Sequence, residues 1–154
     1  MAGDTHTYRT SLRWRGSTAA GYEGYDRGHG VAAPPAADAL ELSADPAFRG
    51  DPERLNPEQL LVAAASSCQL LSFLAICARS GVDVLAYDDE AEALMPEHDH
   101  PVRITEITLR PRIVVAAGSN LDRVRRIVDK AHEECYIANT LTARMTIEPV
   151  IEQA

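Results

Sequence analysis

Residues 56–81 read NPEQLLVAAASSCQLLSFLAICARSG, and the rest of the chain is best understood around this segment. It opens with an asparagine suited to an N-cap, a proline at the first helical position, and Glu58 at the positive end of the helix dipole. Residues 60–78 then contain neither Gly nor Pro, and Gly81 supplies a C-cap. A helix that is apolar on nearly all sides must be buried on nearly all sides. In a short chain this indicates a central helix, covered partly by a second subunit.

The size and charge of the chain limit the possible classes of protein. Its 154 residues are typical of one domain, so we expect a single domain over residues 1–154. Fifteen Lys and Arg against 23 Asp and Glu give a net charge of −8, which argues against binding to nucleic acid or anionic lipid. The sequence opens without a signal-peptide pattern and has no run of about 18 uninterrupted apolar residues. We therefore expect a soluble, cytoplasmic protein.

Strand and helix signals alternate in the remaining sequence. Strands are predicted before the central helix at 8–14 and 40–42, and after it at 82–87, 91–94, 104–117 and 144–151. Pro111 interrupts the long strand and is expected at an edge or a bulge. Alternation along this strand places four apolar residues on one face: Ile107, Leu109, Ile113 and Val115. Asn120 is predicted to cap a second helix, with a buried stripe of Leu121, Val124, Val128, Ala131 and Cys135.

Three cysteines offer a possible reactive centre. An odd number of cysteines without an export signal favours reduced thiols over a disulfide framework. Cys68 has small neighbours in the first helix and Cys135 ends the stripe of the second, so the two side chains can meet in one core. Cys77 points to the opposite side of the first helix from Cys68 and is interpreted as core. A free cysteine is often a small buried hydrophobe, and the pattern alone favours that interpretation for all three.

A reactive thiol also needs a cation to hold it as thiolate. Arg27 and Arg49 are the candidates from the residues, since arginine stays charged when it is desolvated. A buried arginine requires a carboxylate in turn, and Glu58 is suitably placed. Spacing alone favours solvated surface charges for both arginines.

Metal and nucleotide chemistry have weaker support. His98 and His100 lie in a Glu-His-Asp-His run that could chelate weakly, but a solvated loop is the better interpretation. His132 precedes Cys135 by three residues, a spacing that simple helix packing explains. The sequence has no CxxC, HExxH, GxGxxG, Walker or GxSxG motif.

Two segments resemble the OsmC/Ohr family, the osmotically inducible and organic-hydroperoxide-resistance proteins. Residues 56–68, NPEQLLVAAASSC, look like the central-helix signature of that family, and residues 131–141, AHEECYIANTL, resemble the segment that contains its second cysteine. The order of strands, cysteine helix, strands, cysteine helix and strand is also similar. The resemblance covers almost the whole chain and reverses the interpretation of the cysteines as inert.

This resemblance implies an α+β, OsmC-like fold in which antiparallel sheets pack on two long central helices of an intertwined homodimer. It implies a thiol-dependent peroxidase that reduces hydroperoxides, preferably organic ones, without a metal, haem or other cofactor. The partners implied are the hydroperoxide and a dithiol reductant, often a lipoyl group on a protein, with no nucleic acid or membrane partner. Leu71, Phe73 and Tyr136 would favour an organic peroxide, although packing explains them equally well.

The same resemblance implies the site residues. Cys68 corresponds to the peroxidatic cysteine and Cys135 to the resolving one. Glu58 corresponds to the carboxylate that orients a catalytic arginine. Arg27 is preferred as that arginine, with Arg15 as the alternative. The rival hypothesis is an OsmC-like binding or structural protein whose cysteines take no part in chemistry.

Overall fold

The computed structural model describes residues 3–154, and these residues form two compact units that meet in sequence at Leu60 and Leu61. The first unit contains an antiparallel sheet in the order β1 (Ser11–Arg13), β2 (His29–Ala32) and β3 (Ala39–Leu42). A short helix α1 (Gly21–Gly24) connects β1 to β2, and a 3-10 turn (Pro46–Phe48) follows β3. The single domain expected over the whole chain stays a prediction.

The predicted central helix is present as α2 (Pro57–Ser80). Asn56 and Gln59 form a reciprocal cap: the Asn56 side chain accepts from the Gln59 N–H at 2.8 Å, and the Gln59 side chain accepts from the Asn56 N–H at 3.0 Å. By length and mean hydropathy (2.0) α2 qualifies as a possible membrane span, a test that core helices of soluble proteins also pass.

Within the chain, α2 buries only one stripe of side chains. Its fully buried residues recur every fourth position: Ala65, Gln69, Phe73 and Cys77. Only 22% of its most apolar 18-residue window is buried. Leu71 is 63% exposed and Leu74 37% exposed. Within one chain α2 is therefore less covered than its composition predicts, and the expected cover by a second subunit stays a prediction.

Two mixed sheets make up the β-structure of the second unit. One has the order β4 (Val84–Asp89), β7 (Pro111–Val115), β9 (Val150–Gln153), and the other β5 (Glu92–Leu94), β6 (Glu106–Leu109), β8 (Arg144–Ile147). The pairs β4–β7 and β5–β6 are antiparallel, whereas β7–β9 and β6–β8 are parallel. The α+β class is confirmed, but the prediction of antiparallel sheets is wrong for these two sheets, because each contains one parallel pair.

The predicted strand over 104–117 is wrong as a single element. Pro111, which has no N–H to donate, begins the central strand of one sheet, and β6 ends at Leu109 in the other. Pro111 is thus at a strand start rather than at an edge or a bulge. The face predicted to be apolar is correct, since its four residues are fully buried: Ile107, Leu109, Ile113 and Val115. The strand predicted over 144–151 is also divided into two strands, β8 and β9, with Pro149 between them.

The second predicted helix is also divided. Asn120 caps α3 (Leu121–Glu133) as expected, because its side chain accepts from the Arg123 N–H at 2.9 Å. The helix ends before Cys135, which instead caps a short helix α4 (Tyr136–Thr140). Leu121, expected in the buried stripe, is 37% exposed at the first turn. The interior of the stripe is buried as predicted: Val124, Val128 and Ala131.

Candidate functional site: a cysteine pair

The structure brings Cys68 and Cys135 together. Cys68 lies in the middle of α2 and is partly exposed, whereas Cys135, at the start of α4, is fully buried. Cys68 lies close enough to Cys135 to raise the pKa of the Cys135 thiol, and neither cysteine is in a disulfide. Two facing reduced thiols, one of them accessible, are an arrangement that oxidation can convert into a disulfide.

The local backbone gives Cys135 a polar environment in an apolar core. Its Sγ accepts from the Ala138 N–H at 3.5 Å, as the cap of α4. Burial raises the pKa of the Cys135 thiol, the N–H groups of Ala138 and Ile137 oppose that shift, and the neighbouring Cys68 adds to it. The fold therefore holds Cys135 as a thiol in the resting state while providing donors for its thiolate.

Cys77 has different surroundings. It is 1% exposed within a core cluster that includes Phe73, Ile113 and Val128. Burial raises its pKa to about 11. This thiol stays protonated at neutral pH, and the interpretation of Cys77 as a core residue agrees with its position.

A groove of about 490 Å³ opens beside Cys68. Its walls consist of residues from α2 and from the segment around α4. Most of the lining near Cys68 is apolar, from Leu71, Ala75, Ile76 and Tyr136, while Arg79 and Glu134 add charged groups. Tyr136 is 81% exposed and Phe73 is fully buried, so Tyr136 and Leu71 can meet a ligand but Phe73 serves packing.

Arg27 and Glu58 line one cavity of the first unit, about 550 Å³ in volume, together with apolar residues such as Trp14 and Phe48. Arg27 is 9% exposed, so it is not a solvated surface charge. Its guanidinium donates to the carbonyl oxygens of Tyr22 (2.6 Å) and Tyr25 (2.7 Å) and lies 3.9 Å from the centroid of the Tyr25 ring. Carbonyl groups and an aromatic face replace the carboxylate expected for a buried arginine.

The other two candidate arginines are on the surface. Arg15 is exposed and donates to the Trp14 carbonyl oxygen at 2.9 Å. Arg49 has a left-handed backbone (φ 64°) and forms an exposed ion pair with Glu23. Of the three candidates, Arg27 alone is buried.

Several polar groups that sequence reasoning missed lie in the second unit with the cysteine pair. The Ser66 hydroxyl, two residues before Cys68, donates to the carboxylate of Asp89, whose other oxygen accepts from the Arg110 N–H at 2.7 Å. Gln69 is fully buried and donates to the Val128 carbonyl oxygen at 3.1 Å. The sequence does contain a signal for Gln69, because a glutamine next to a cysteine is unusual inside an apolar helix. Nothing in the sequence pattern distinguished Asp89.

For metals, residues 3–154 contain no group of three or more His, Cys, Asp or Glu side chains placed to hold an ion. The 96–101 segment, with its two histidines, forms a turn between β5 and β6. His132 lies in the last turn of α3.

Comparison with known proteins identifies the family. Residues 50–150 match the family model for OsmC-like proteins, so the chain belongs to that family. An OsmC-like protein of unknown function from Vibrio cholerae superposes with a TM-score of 0.86 at 25% identity, over 95% of this chain and 100% of that one. The predicted family and the predicted α+β, OsmC-like fold are confirmed, whereas the homodimer stays a prediction.

Two further proteins are similar to this chain. An organic hydroperoxide resistance protein OsmC from Legionella pneumophila has the same fold, with a TM-score of 0.68 at 18% identity, over 97% of this chain and 99% of that one. The uncharacterised protein YmaD of Bacillus subtilis is 24% identical over 102 residues, which are 64% of this chain and 68% of that protein.

Proposed function

We propose that the protein is a thiol-dependent peroxidase that reduces hydroperoxides, preferably organic ones, to alcohols. The supporting observation is a Cys68 that lines a groove and lies close enough to the buried Cys135 to raise the pKa of its thiol. Membership of the OsmC-like family, and a fold shared with a protein named for organic hydroperoxide resistance, agree with this assignment.

The reaction divides into three steps. The Cys68 thiolate attacks one peroxide oxygen, the O–O bond breaks, and the alkoxide leaves as an alcohol after it takes a proton. Cys68 is then a sulfenic acid, and the Cys135 thiolate attacks its sulfur to form a disulfide while hydroxide leaves as water. An external dithiol reduces the disulfide by exchange and is itself oxidised to a disulfide. A lipoyl group on a protein partner is the proposed source of that dithiol.

Preference for an organic peroxide is supported by the groove. Leu71, Ala75, Ile76 and Tyr136 provide apolar surface next to the reacting sulfur. Burying the alkyl group of a hydroperoxide against such surface stabilises its complex by roughly 25 cal/mol per Å² of apolar area. Hydrogen peroxide has no such group and gains nothing from these side chains.

The position of Glu58 supports a site shared between two subunits. Glu58 and Cys68 are ten residues apart on α2, and a rise of 1.5 Å per residue separates them by about 15 Å along the axis. The guanidinium of an arginine contacts neighbouring groups at about 3 Å, so contact with both Glu58 and Cys68 of one helix would need the two side chains to extend toward each other along the axis. We infer that Arg27 and Glu58 act on the Cys68 of a second copy.

A homodimer would also cover the exposed side of α2. Most of this helix is uncovered within one chain although it is apolar all round. A second α2 running antiparallel against the first would bury Leu71 and Leu74 and bring the start of each helix toward the middle of the other. The guanidinium of Arg27 would then stabilise the thiolate and the charge on the leaving oxygen.

Steady-state turnover of cumene hydroperoxide with a dithiol reductant tests the proposal. Cys68→Ser is expected to abolish turnover because a hydroxyl at that position is not ionised at neutral pH. Cys135→Ser is expected to consume about one equivalent and then to over-oxidise on repeated exposure, since no resolving thiol remains. Equal turnover in the wild type and in Cys68→Ser would overturn the peroxidase assignment in favour of a binding or structural protein.

A further inference from the structure

The backbone on both sides of Arg27 is hydrogen-bonded to the N–H groups of aromatic rings. The indole nitrogen of Trp14, which directly follows β1, donates to the Asp26 carbonyl oxygen at 2.8 Å. The imidazole Nδ1 of His29, on β2, lies 2.8 Å from the Arg27 carbonyl oxygen. A carbonyl oxygen can only accept, so this Nδ1 carries a proton and donates. Each of the two peptide groups that flank the Cα of Arg27 therefore has a side-chain donor.

The second of these peptide groups is held at both of its polar atoms. Its N–H, from Gly28, donates to the Asp26 carboxylate at 2.8 Å, while its carbonyl oxygen accepts from His29. Because a peptide group is planar, holding the peptide on each side of a Cα restricts φ and ψ there, and with them the direction in which the side chain leaves the backbone. Arg27 lies between α1 and β2, so three side chains, rather than a helix or a strand, determine its orientation.

Satisfying the two carbonyl groups does not by itself require these rings. Asp26 is exposed, and water also serves as a donor to carbonyl groups at the surface. A direct donor from a ring adds orientation, and the residue that it orients is a buried cation. Trp14 and His29 also line the same cavity as Arg27 and Glu58.

The guanidinium of Arg27 keeps donors for a charged group. It donates to the carbonyl oxygens of Tyr22 and Tyr25, and its other N–H groups have no hydrogen-bond partner among residues 3–154. Stabilisation of a thiolate or of a leaving oxygen by such donors depends on their position, and a misplacement of about 1 Å can cost about a hundredfold in rate. The backbone direction at Arg27 is therefore a determinant of the reaction rate.

We propose that Trp14 and His29 are positioning residues, which hold Arg27 in the orientation that the first step of the reaction requires. The proposal rests on the peroxidase function proposed above and concerns the attack of the Cys68 thiolate on the peroxide. Neither ring gives up a proton or forms a covalent bond. Each acts only through its hydrogen bond to the backbone beside Arg27.

The decisive variants are His29→Gln and His29→Asn, with His6→Gln, at an exposed histidine, as the control. An asparagine amide nitrogen can take the place of Nδ1, whereas the longer glutamine side chain carries its amide toward the position of Nε2. Reduced protein is mixed with cumene hydroperoxide and quenched over time with an alkylating reagent, and the remaining Cys68 thiol is measured by peptide mapping. In His29→Gln we expect the loss of this thiol to be about tenfold slower. His29→Asn should restore most of the rate, and His6→Gln should react as the wild type does.

Two further readouts separate positioning from a general loss of structure. Trp14→Phe keeps an aromatic ring but has no N–H, and it is expected to slow the same step. In an Arg27→Met background, His29→Gln is expected to cause no further loss from the slow residual rate, because no guanidinium remains to be positioned.

Several results would overturn the proposal. One is a wild-type rate in either His29→Gln or Trp14→Phe, and another is a rate in His29→Asn as low as that in His29→Gln. An equal fold loss from His29→Gln with and without Arg27 would show that the histidine does not act through the arginine. Absence of Cys68 oxidation in the wild type would instead overturn the peroxidase function, and this proposal with it.

Discussion

The three cysteines differ in their surroundings, and the differences determine which of them can react. A thiol reacts as the thiolate, so access and pKa are the relevant quantities. Cys68 faces a groove, and Cys135 is buried but has donors at its sulfur. Cys77 is buried among apolar side chains with a pKa raised to about 11.

The first prediction concerns Cys77. The folded-state pKa of this thiol lies above the unfolded value near 9.0, so its contribution to stability is fully present below pH 9 and is lost as the pH rises toward 11. In reduced protein at pH 8 we expect a thiol reagent to label Cys68 readily and Cys77 only after unfolding, as peptide mapping would show.

The matched substitution is Cys77→Ser. It should leave peroxide turnover nearly unchanged but cost about 1–3 kcal/mol of unfolding free energy, because a hydroxyl replaces a thiol in an apolar core. Rapid labelling of Cys77 in the folded protein, or loss of turnover in a folded Cys77→Ser variant, would contradict the assignment of Cys77 to the core.

Residue-level prediction succeeded where a side chain has one clear task. The small neighbours of Cys68 and the flanking motifs indicate the cysteine pair from the amino-acid sequence alone. They give no sign of Asp89, because its hydrogen bonds with Ser66 and Arg110 form only when β4 lies beside α2 and β7. The surroundings of Arg27 were also unpredictable, since backbone carbonyl groups and an aromatic ring replace the expected carboxylate.

At the level of elements, local signals determined the starts of helices better than their ends. Asn56 and Asn120 cap α2 and α3 as predicted, because capping needs only neighbouring residues. The spacing of apolar residues continued α3 through Cys135, yet the chain turns after Glu133 and starts α4. The spacing of apolar residues indicates which side chains are buried, but not whether the helix continues. Cys135 is buried although it lies beyond the end of α3.

The strands illustrate the same limit. Ile107 and Ile113 alternate correctly onto the buried face, although Pro111 separates them into two sheets. The alternation of apolar and polar residues along a strand depends on which face of the strand is covered. The amino-acid sequence shows this alternation directly. Sheet membership depends on pairing with distant strands such as β8 and β9, which no local pattern encodes.

At the level of the whole molecule, the proposed site includes residues from a second copy of the chain. An apolar α2 with one buried stripe, and a glutamate about 15 Å along the helix from Cys68, both point to a site completed across a dimer. Neither observation depends on the identity of the peroxide. The shared site can therefore be tested with any substrate that the protein turns over.

Subunit complementation provides that test. Cys68→Ser and Arg27→Met are each expected to be inactive, but an equal mixture refolded together should recover about a quarter of wild-type turnover. Half of the dimers are then mixed, and each mixed dimer has one intact site. The control is an equal mixture of Arg27→Met and Glu58→Gln. It should stay inactive, because each site takes both Arg27 and Glu58 from one chain and every chain in this mixture lacks one of the two. An inactive first mixture, with mixed dimers present, would place the arginine and the cysteine of one site in one chain.

A peroxide-driven disulfide between Cys68 and Cys135 is the step on which the proposed function depends, and mass spectrometry of the product detects it. One equivalent of cumene hydroperoxide is added to fully reduced protein without a reductant, and the protein is alkylated, digested and mapped. We expect the protein to lose two hydrogen atoms, a Cys68–Cys135 linked peptide to form, and Cys77 to be recovered as the alkylated thiol. Recovery of Cys68 and Cys135 as free thiols, or a disulfide that includes Cys77, would contradict the proposed mechanism.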